Sequence, residues 1–181
     1  MGNKMEEEMN DILDIIKARK SVNSYTDEPV SREQLDRVLE AGKYAPSGMN
    51  KEPVIAIAVT DPDMIAKLRK MNQDVMGMYE RDPFYGAPCV IAVLADKSTR
   101  TYLYDGSLAI ENMLLESFSM GLGARWIHRC KEEFETEAGK EILKSLGIEG
   151  EYEGIGHVIL GHPAGELHPD FVKKENFAYY I

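Results

Sequence analysis

Between residues 101 and 120 the chain reads TYLYDGSLAIENMLLESFSM, a stretch of helical length that is apolar almost all round. Leu103, Leu108, Ala109, Ile110, Met113, Leu114, Leu115 and Phe118 do not share one face. Water tolerates a helix with one apolar side and requires the rest to be covered. Such a helix lies in the middle of a fold or at an obligate subunit contact. Gly-Leu-Gly at 121–123 ends it, and the remaining elements have to be arranged around it.

Two uninterrupted apolar runs, VIAIAV (54–59) and CVIAVLA (89–95), have strand length and read as strands buried on both faces. YEGIGHVILG (152–161) supplies a third strand, in which Gly154 and Gly156 suit close packing. Helices separate these runs. One covers 6–18, with Met9, Ile12, Leu13, Ile15 and Ile16 on its apolar side. A capping box from Ser31 to Gln34 opens a second, carried by Leu35, Val38, Leu39 and Ala41 until Pro46 stops it. Asp61-Pro62 opens a third that runs to about Met71, and a charged helix covers 131–146.

The segment 72–88 is irregular and reads as a short helix plus a lid. Its Met76, Met78, Tyr79, Phe84 and Tyr85 suit either a cap over a flat guest or core under a loop. The tail, 162–181, starts rich in Pro and Gly and ends NFAYYI, a weakly alternating aromatic run able to add to a sheet edge. Three or four strands interspersed with helices give an α/β or α+β sandwich, one domain over 1–181. The apolar tail needs something to pack on, and in a symmetric dimer that is the other subunit.

A net charge of −10 repels nucleic acid and anionic membrane, so a phosphate ligand has to meet a local basic cluster. No apolar run reaches membrane-spanning length, and the opening MGNKMEEEMN is too acidic for a signal peptide. A cytoplasmic protein with reduced thiols is expected, since Cys89 and Cys130 form neither a disulfide framework nor a metal spacing. His128, His157, His162 and His168 lack HExxH spacing, which leaves no metal site. There is no GxSxG elbow, no P-loop and no GxGxxG between strand and helix. What remains is short polar segments at element boundaries. In ARKSVNSY, Arg19 and Lys20 stand beside Ser21 and Ser24, a donor set that suits a phosphate as well as it suits a solvated helix end. Lys173-Lys174 in the tail is a second basic pair.

In order along the chain, ARKSVNSYTDEPVSREQLDRVLEAGKYAPSGMNKEP, APCVIAVLA, DGSLAIENMLLESFSMGLGARWIHR, GIGHVILGHPAGE and KKENFAYYI resemble successive segments of the FMN-dependent nitroreductase family. The likeness runs along essentially the whole length. It implies a nitroreductase-like three-layer sandwich with a central mixed sheet, in a homodimer with FMN at the interface and the tail reaching the partner subunit. By the resemblance, Arg19, Lys20 and Ser21 match the positions that hold phosphate and ribityl chain, joined by Lys173 and Lys174. Pro46, Ser47, Gly48, Met49 and Asn50 match the loop that approaches the flavin from the other subunit. Asn72 resembles the side chain that reads the pyrimidine edge, and Trp126, Ile127, His128 and Arg129 match the segment where a backbone N–H nears N5. The implied activity is transfer of hydride from NADH or NADPH, through FMN, to nitroaromatics, quinones or other electron-poor acceptors by ping-pong kinetics. No side chain is assigned as catalytic, because the reactivity resides in the cofactor.

Three departures from the family pattern stand out. Asn23 occupies a position where relatives carry Arg or Lys near flavin N1 and O2. A neutral amide donates a weaker hydrogen bond than a cation does, which implies a lower flavin potential. A potential equal to or above that of relatives with the cation would contradict it. Lys51-Glu52-Pro53-Val54 replaces xQPW, and His128-Arg129 replaces smaller residues. Arg129 suits either an anionic substrate or an ion pair with Glu132 or Glu133. Two further readings stay open: a non-catalytic flavin-binding or redox-sensing module, and a specialised reaction on the same fold.

Overall fold

The computed structural model describes residues 11–165 and 172–181. Its elements are α1 (Ile12–Ala18), α2 (Arg32–Lys43), β1 (Val54–Val59), α3 (Pro62–Met76), β2 (Cys89–Asp96), α4 (Tyr102–Ser119), β3 (Gly123–Ile127), α5 (Cys130–Glu135), α6 (Glu137–Ser145) and β4 (Tyr152–Gly161). The strands form one sheet in the order β1-β2-β4-β3, and every strand pairing is antiparallel. The mixed character expected of the sheet reduces to one parallel bridge, Ser21 to Ala124, at the β3 edge. Among the described residues no helix is long and apolar enough to cross a membrane.

Strand alternation sorts the core into two clusters, one on each side of the sheet. Cys89, Ile91 and Val93 of β2 join Leu35, Val38, Ile110, Met113 and Leu114 under α2 and α4. Val90, Ala92 and Leu94 face the other way, onto Ile65, Leu68, Phe134 and Ile142 of α3, α5 and α6. The result is a helix–sheet–helix sandwich of the α+β class. β2 is buried along nearly its whole length, as expected, because it has a strand on either side and helices over both faces.

β1 departs from the expectation of burial on both faces. It is an edge strand, and Ala56 and Ala58 are exposed in the single chain. Cavities of about 370 and about 430 Å³ flank it, one toward α2 and α4 and one toward α3 and α6.

Helix boundaries follow their caps. Ser31 and Gln34 form the reciprocal capping box of α2. Asp61 accepts from the Met64 N–H at the start of α3. That helix continues past Met71 to Met76, where Gly77 (φ 69°) closes it in left-handed backbone. The expected charged helix over 131–146 is two helices. Thr136, in extended backbone, ends α5, and its side chain accepts from Gly139 N–H to start α6. Of the helix expected over 6–18, residues 6–10 lie outside the described residues, as does His168 in the tail. NFAYYI forms no strand in the single chain.

Candidate functional site

Residues 19–25 leave α1 and run beside β3. Ser21 bridges Ala124, and the Val22 N–H donates to the Ala124 carbonyl at 3.2 Å. Gly123 permits this approach: a Cβ there would lie 2.8 Å from the Val22 side chain. Arg19, Lys20, Ser21 and Asn23 are thereby placed next to the strand that leads into Trp126, Ile127, His128 and Arg129. Arg19 lies 3.8 Å through Nε from Glu111 Oε1, too long for a hydrogen bond. That Nε is buried without a hydrogen-bond partner among the described residues. A guanidinium donor held in this way suits an anion. Lys20 and Ser21 are half-buried, and Asn23 is exposed.

The loop after α2 is held against the N-terminal end of α4. Gly48 N–H donates to Asp105 Oδ1 at 3.1 Å, and Thr101 Oγ1 donates to Asp105 Oδ2 at 2.8 Å. A Cβ on Gly48 would lie 2.2 Å from Thr101 Oγ1, so only glycine permits this contact. Met49, Asn50 and Glu52 all have positive φ, at 53°, 54° and 47°. Such backbone costs on the order of 1–3 kcal/mol per residue and persists where its surroundings over-determine it. Ser47 closes the turn, its Oγ accepting from Glu52 N–H at 3.0 Å and its carbonyl from Asn50 N–H at 3.0 Å. Pro46, Met49 and Asn50 are exposed. Within one chain this loop joins α4, while residues 19–23 join β3.

The turn after β3 sits over a buried polar network. Arg129 caps α5 in left-handed backbone (φ 79°). Asn72 Nδ2 donates to the His128 carbonyl at 2.9 Å and also to Glu133 Oε1. Arg129 Nε donates to Asn72 Oδ1 at 3.0 Å. Glu133 Oε1 is 3.0 Å from His157 Nε2, and both side chains are fully buried. Burial disfavours the imidazolium, but the Cys130 thiol and Glu133 carboxylate favour it, and His157 is raised to about 10. Arg129 therefore engages Asn72, and among the described residues it makes no ion pair with Glu132 or Glu133. Asn72 itself is fully buried, with its amide turned into the protein. In the single chain its amide hydrogens go to Glu133 and the His128 carbonyl, and its oxygen accepts from Arg129.

Trp126 is half-exposed, with its ring 5.5 Å from that of His128, and Ile127 is core. Gly156 makes room for the indole, since a Cβ there would lie 2.1 Å from Trp126 Nε1. The segment after α3 is a pinned turn. Asp82 accepts from Phe84 N–H and Gly86 N–H, each at 2.8 Å, and Gln73 Nε2 donates to the Tyr79 and Arg81 carbonyls. Phe84 is core, set edge-on to His157, whereas Met78, Tyr79 and Tyr85 are exposed. Lys173 and Lys174 are exposed on the tail.

The sequence model of the family described as "Nitroreductase family" matches residues 16–162. The chain belongs to the nitroreductase family. It is 40% identical over 172 residues to a protein of Bacillus subtilis named FMN reductase [NAD(P)H], with 86% of this chain and 67% of the relative covered. A nitroreductase of Bacteroides fragilis solved with bound FMN superposes with a TM-score of 0.86 at 28% identity, covering 95% of this chain and 99% of that one. One from Desulfitobacterium hafniense, also with FMN, gives 0.84 at 26%, covering 96% and 99%.

For a nitroreductase-family chain, sequence reasoning missed three supports of the site. Asp105 is one of three carboxylates in α4, with Glu111 and Glu116, and it is the buried one, which the sequence does not single out. Glu133 and His157 are buried partners 24 residues apart and had no legible signal.

Proposed function

We propose that this chain is an FMN-dependent NAD(P)H oxidoreductase that acts on electron-poor acceptors as a homodimer. The observation that carries the reading is the junction of residues 19–23 with β3 through Ser21 and Ala124. It puts a basic, hydroxyl-bearing segment beside the turn at Trp126–Arg129. The residues present fit FMN, because Arg19 Nε is a buried donor without a hydrogen-bond partner and Ser21 and Lys20 add further donors. Bound there, FMN supplies a redox centre that takes a hydride from NADH or NADPH and returns it to the acceptor.

The chain binds, orients and excludes water. Arg19, Lys20 and Ser21 hold the phosphate and ribityl chain, and Lys173 and Lys174 close on it. Pro46, Ser47, Gly48, Met49 and Asn50 serve the flavin of the partner subunit from a loop stiffened by Asp105. The 126–129 turn lies along the ring edge, with Trp126 offering an aromatic surface. Exposed apolar side chains on α1 (Ile12, Leu13, Ile16), α4 (Leu103, Tyr104, Leu108) and the tail (Phe177, Tyr179, Tyr180, Ile181) support a large subunit contact. The edge of β1 is open to a strand from a partner's tail. Cys89 and Cys130 are free and buried, which agrees with a reducing compartment such as the cytoplasm.

A single guest face over the flavin means that donor and acceptor visit in turn, as ping-pong kinetics require. Steady-state rates with varied NAD(P)H against nitrofurazone and menadione test this. Parallel double-reciprocal lines are expected, and converging lines would overturn the shared face.

A further inference from the structure

The buried network under the 126–129 turn is more elaborate than packing requires. Asn72, Glu133 and His157 are all fully buried; Asn72 and His157 meet at Glu133 Oε1, and Asn72 reaches on to the two consecutive loop residues His128 and Arg129. Replacing buried charge by apolar residues of like shape is often neutral or stabilising, so stability alone does not account for such a set. What it does specify is a conformation. Asn72 bridges an anion and a cation, donating to Glu133 and accepting from Arg129, while its second donor hydrogen fixes the His128 carbonyl. Glu133 closes the ring, since its own N–H donates to the Arg129 carbonyl at 3.0 Å. Arg129 is thereby tied through side chain and backbone while its φ stays at 79°. His157, on β4, sets Nε2 3.0 Å from Glu133 Oε1, and Phe84 packs edge-on against its ring.

We propose that Asn72, Glu133 and His157 are positioning residues that hold the His128 carbonyl and the Arg129 guanidinium in one fixed arrangement at the edge of the flavin site. The proposal rests on the FMN reading above for its link to the cofactor. It assigns Asn72 an inward role, acting on the flavin through the 128–129 turn. Glu133 and His157 supply the fixed dipole against which Asn72 is oriented, and the strained Arg129 backbone is the element they stabilise.

The test uses the full-length protein with and without FMN. Asn72→Leu keeps the branched heavy-atom skeleton and removes the Asn72 hydrogen bonds to the turn, leaving the Glu133 N–H bond to the Arg129 carbonyl. In the flavin-free protein, amide hydrogen exchange at 127–130 should accelerate at least tenfold over wild type, with β2 unchanged. FMN titration should then give at least a tenfold weaker dissociation constant. Glu133→Gln keeps an acceptor toward Asn72 but removes the carboxylate beside His157, so it should accelerate exchange at 127–130 by less than Asn72→Leu does but measurably, and unchanged exchange would remove the Glu133–His157 pair from the positioning set. Should Asn72→Leu not fold, Arg129→Ala removes the outer end of the network and leaves the Glu133–His157 pair in place. The same weakening of FMN is expected from it.

Unchanged exchange at 127–130 in a folded Asn72→Leu would overturn the positioning role. Accelerated exchange with unchanged FMN affinity would overturn its link to the flavin, as would unchanged affinity in Arg129→Ala. A wild-type chain that takes up no FMN overturns the functional reading, while exchange at 127–130 still decides whether the network positions the turn.

Discussion

Gly48 and Asp105, 57 residues apart, are joined by a hydrogen bond of 3.1 Å from backbone N–H to buried carboxylate. One link therefore ties the polar loop after α2 to the apolar helix α4, which covers one face of the sheet. The loop offers Pro46, Met49 and Asn50 outward because its inner side is fixed to Asp105, which Thr101 in turn orients.

Asp105→Ala removes the acceptor of both bonds and leaves Gly48 N–H without it. A loss of about 1–3 kcal/mol in unfolding free energy is expected, together with weaker FMN binding. Asp105→Asn still accepts from Gly48 N–H and should lose less than half as much. Urea unfolding of the two variants checks the order, and equal losses would remove the carboxylate from its role.

Gly156→Ala would set a Cβ 2.1 Å from Trp126 Nε1, so the indole has to move. The chain has a single tryptophan, and its emission reports that movement without ambiguity. A shifted emission maximum and a destabilisation of about 1–3 kcal/mol are expected. An unchanged spectrum would show that the backbone gives way instead.

His157 is raised from about 6.5 to about 10 in the folded chain, its interactions with Cys130 and Glu133 outweighing burial. A folded-state value above the unfolded one means that the folded state holds the proton more tightly. That stabilisation is complete below pH ~6.5 and is lost as pH rises through about 10. The urea midpoint of the wild type should therefore fall more steeply between these limits than that of His157→Phe. Parallel profiles would mean that His157 is neutral when buried.

Leu108 lies half-exposed on α4, beside Leu103 and Tyr104. If this face is the subunit contact, Leu108→Glu buries a charge there and should yield a monomer with at least tenfold weaker FMN binding. Light scattering and FMN titration measure both. A dimer that keeps its affinity would place the contact elsewhere.

Much of this fold is written locally. Ser31 with Gln34, and Asp61 with Pro62, announce their helices through short-range hydrogen bonding, and both helices start where these residues stand. β2 reads as buried because it is central. β1 has a similar composition but lies at an edge, and sheet order is a long-range property that composition does not encode. β3 escaped notice because Gly-Ala-Arg-Trp-Ile is short and lacks alternation, and its pairing with β4 is set by distant contacts. The break at Thr136 was legible in principle, since a threonine three residues before Gly139 is a cap signal. In the candidate site, the resemblance named the segments but not their supports. Asn72 was identified by position, and its inward turn depends on Glu133 and His157, which only the folded chain brings to it.

The central claim is that this chain binds FMN and that NAD(P)H reduces it there. Anaerobic titration of the purified protein with NADH and with NADPH, followed at the flavin absorbance band, tests that claim most directly. The account predicts a yellow dimer whose flavin band bleaches with one equivalent of nucleotide per FMN and returns when an electron-poor acceptor is added. Arg19→Ala should be folded but largely colourless. A protein that does not retain FMN, or one whose bound FMN neither nucleotide reduces, would contradict the account.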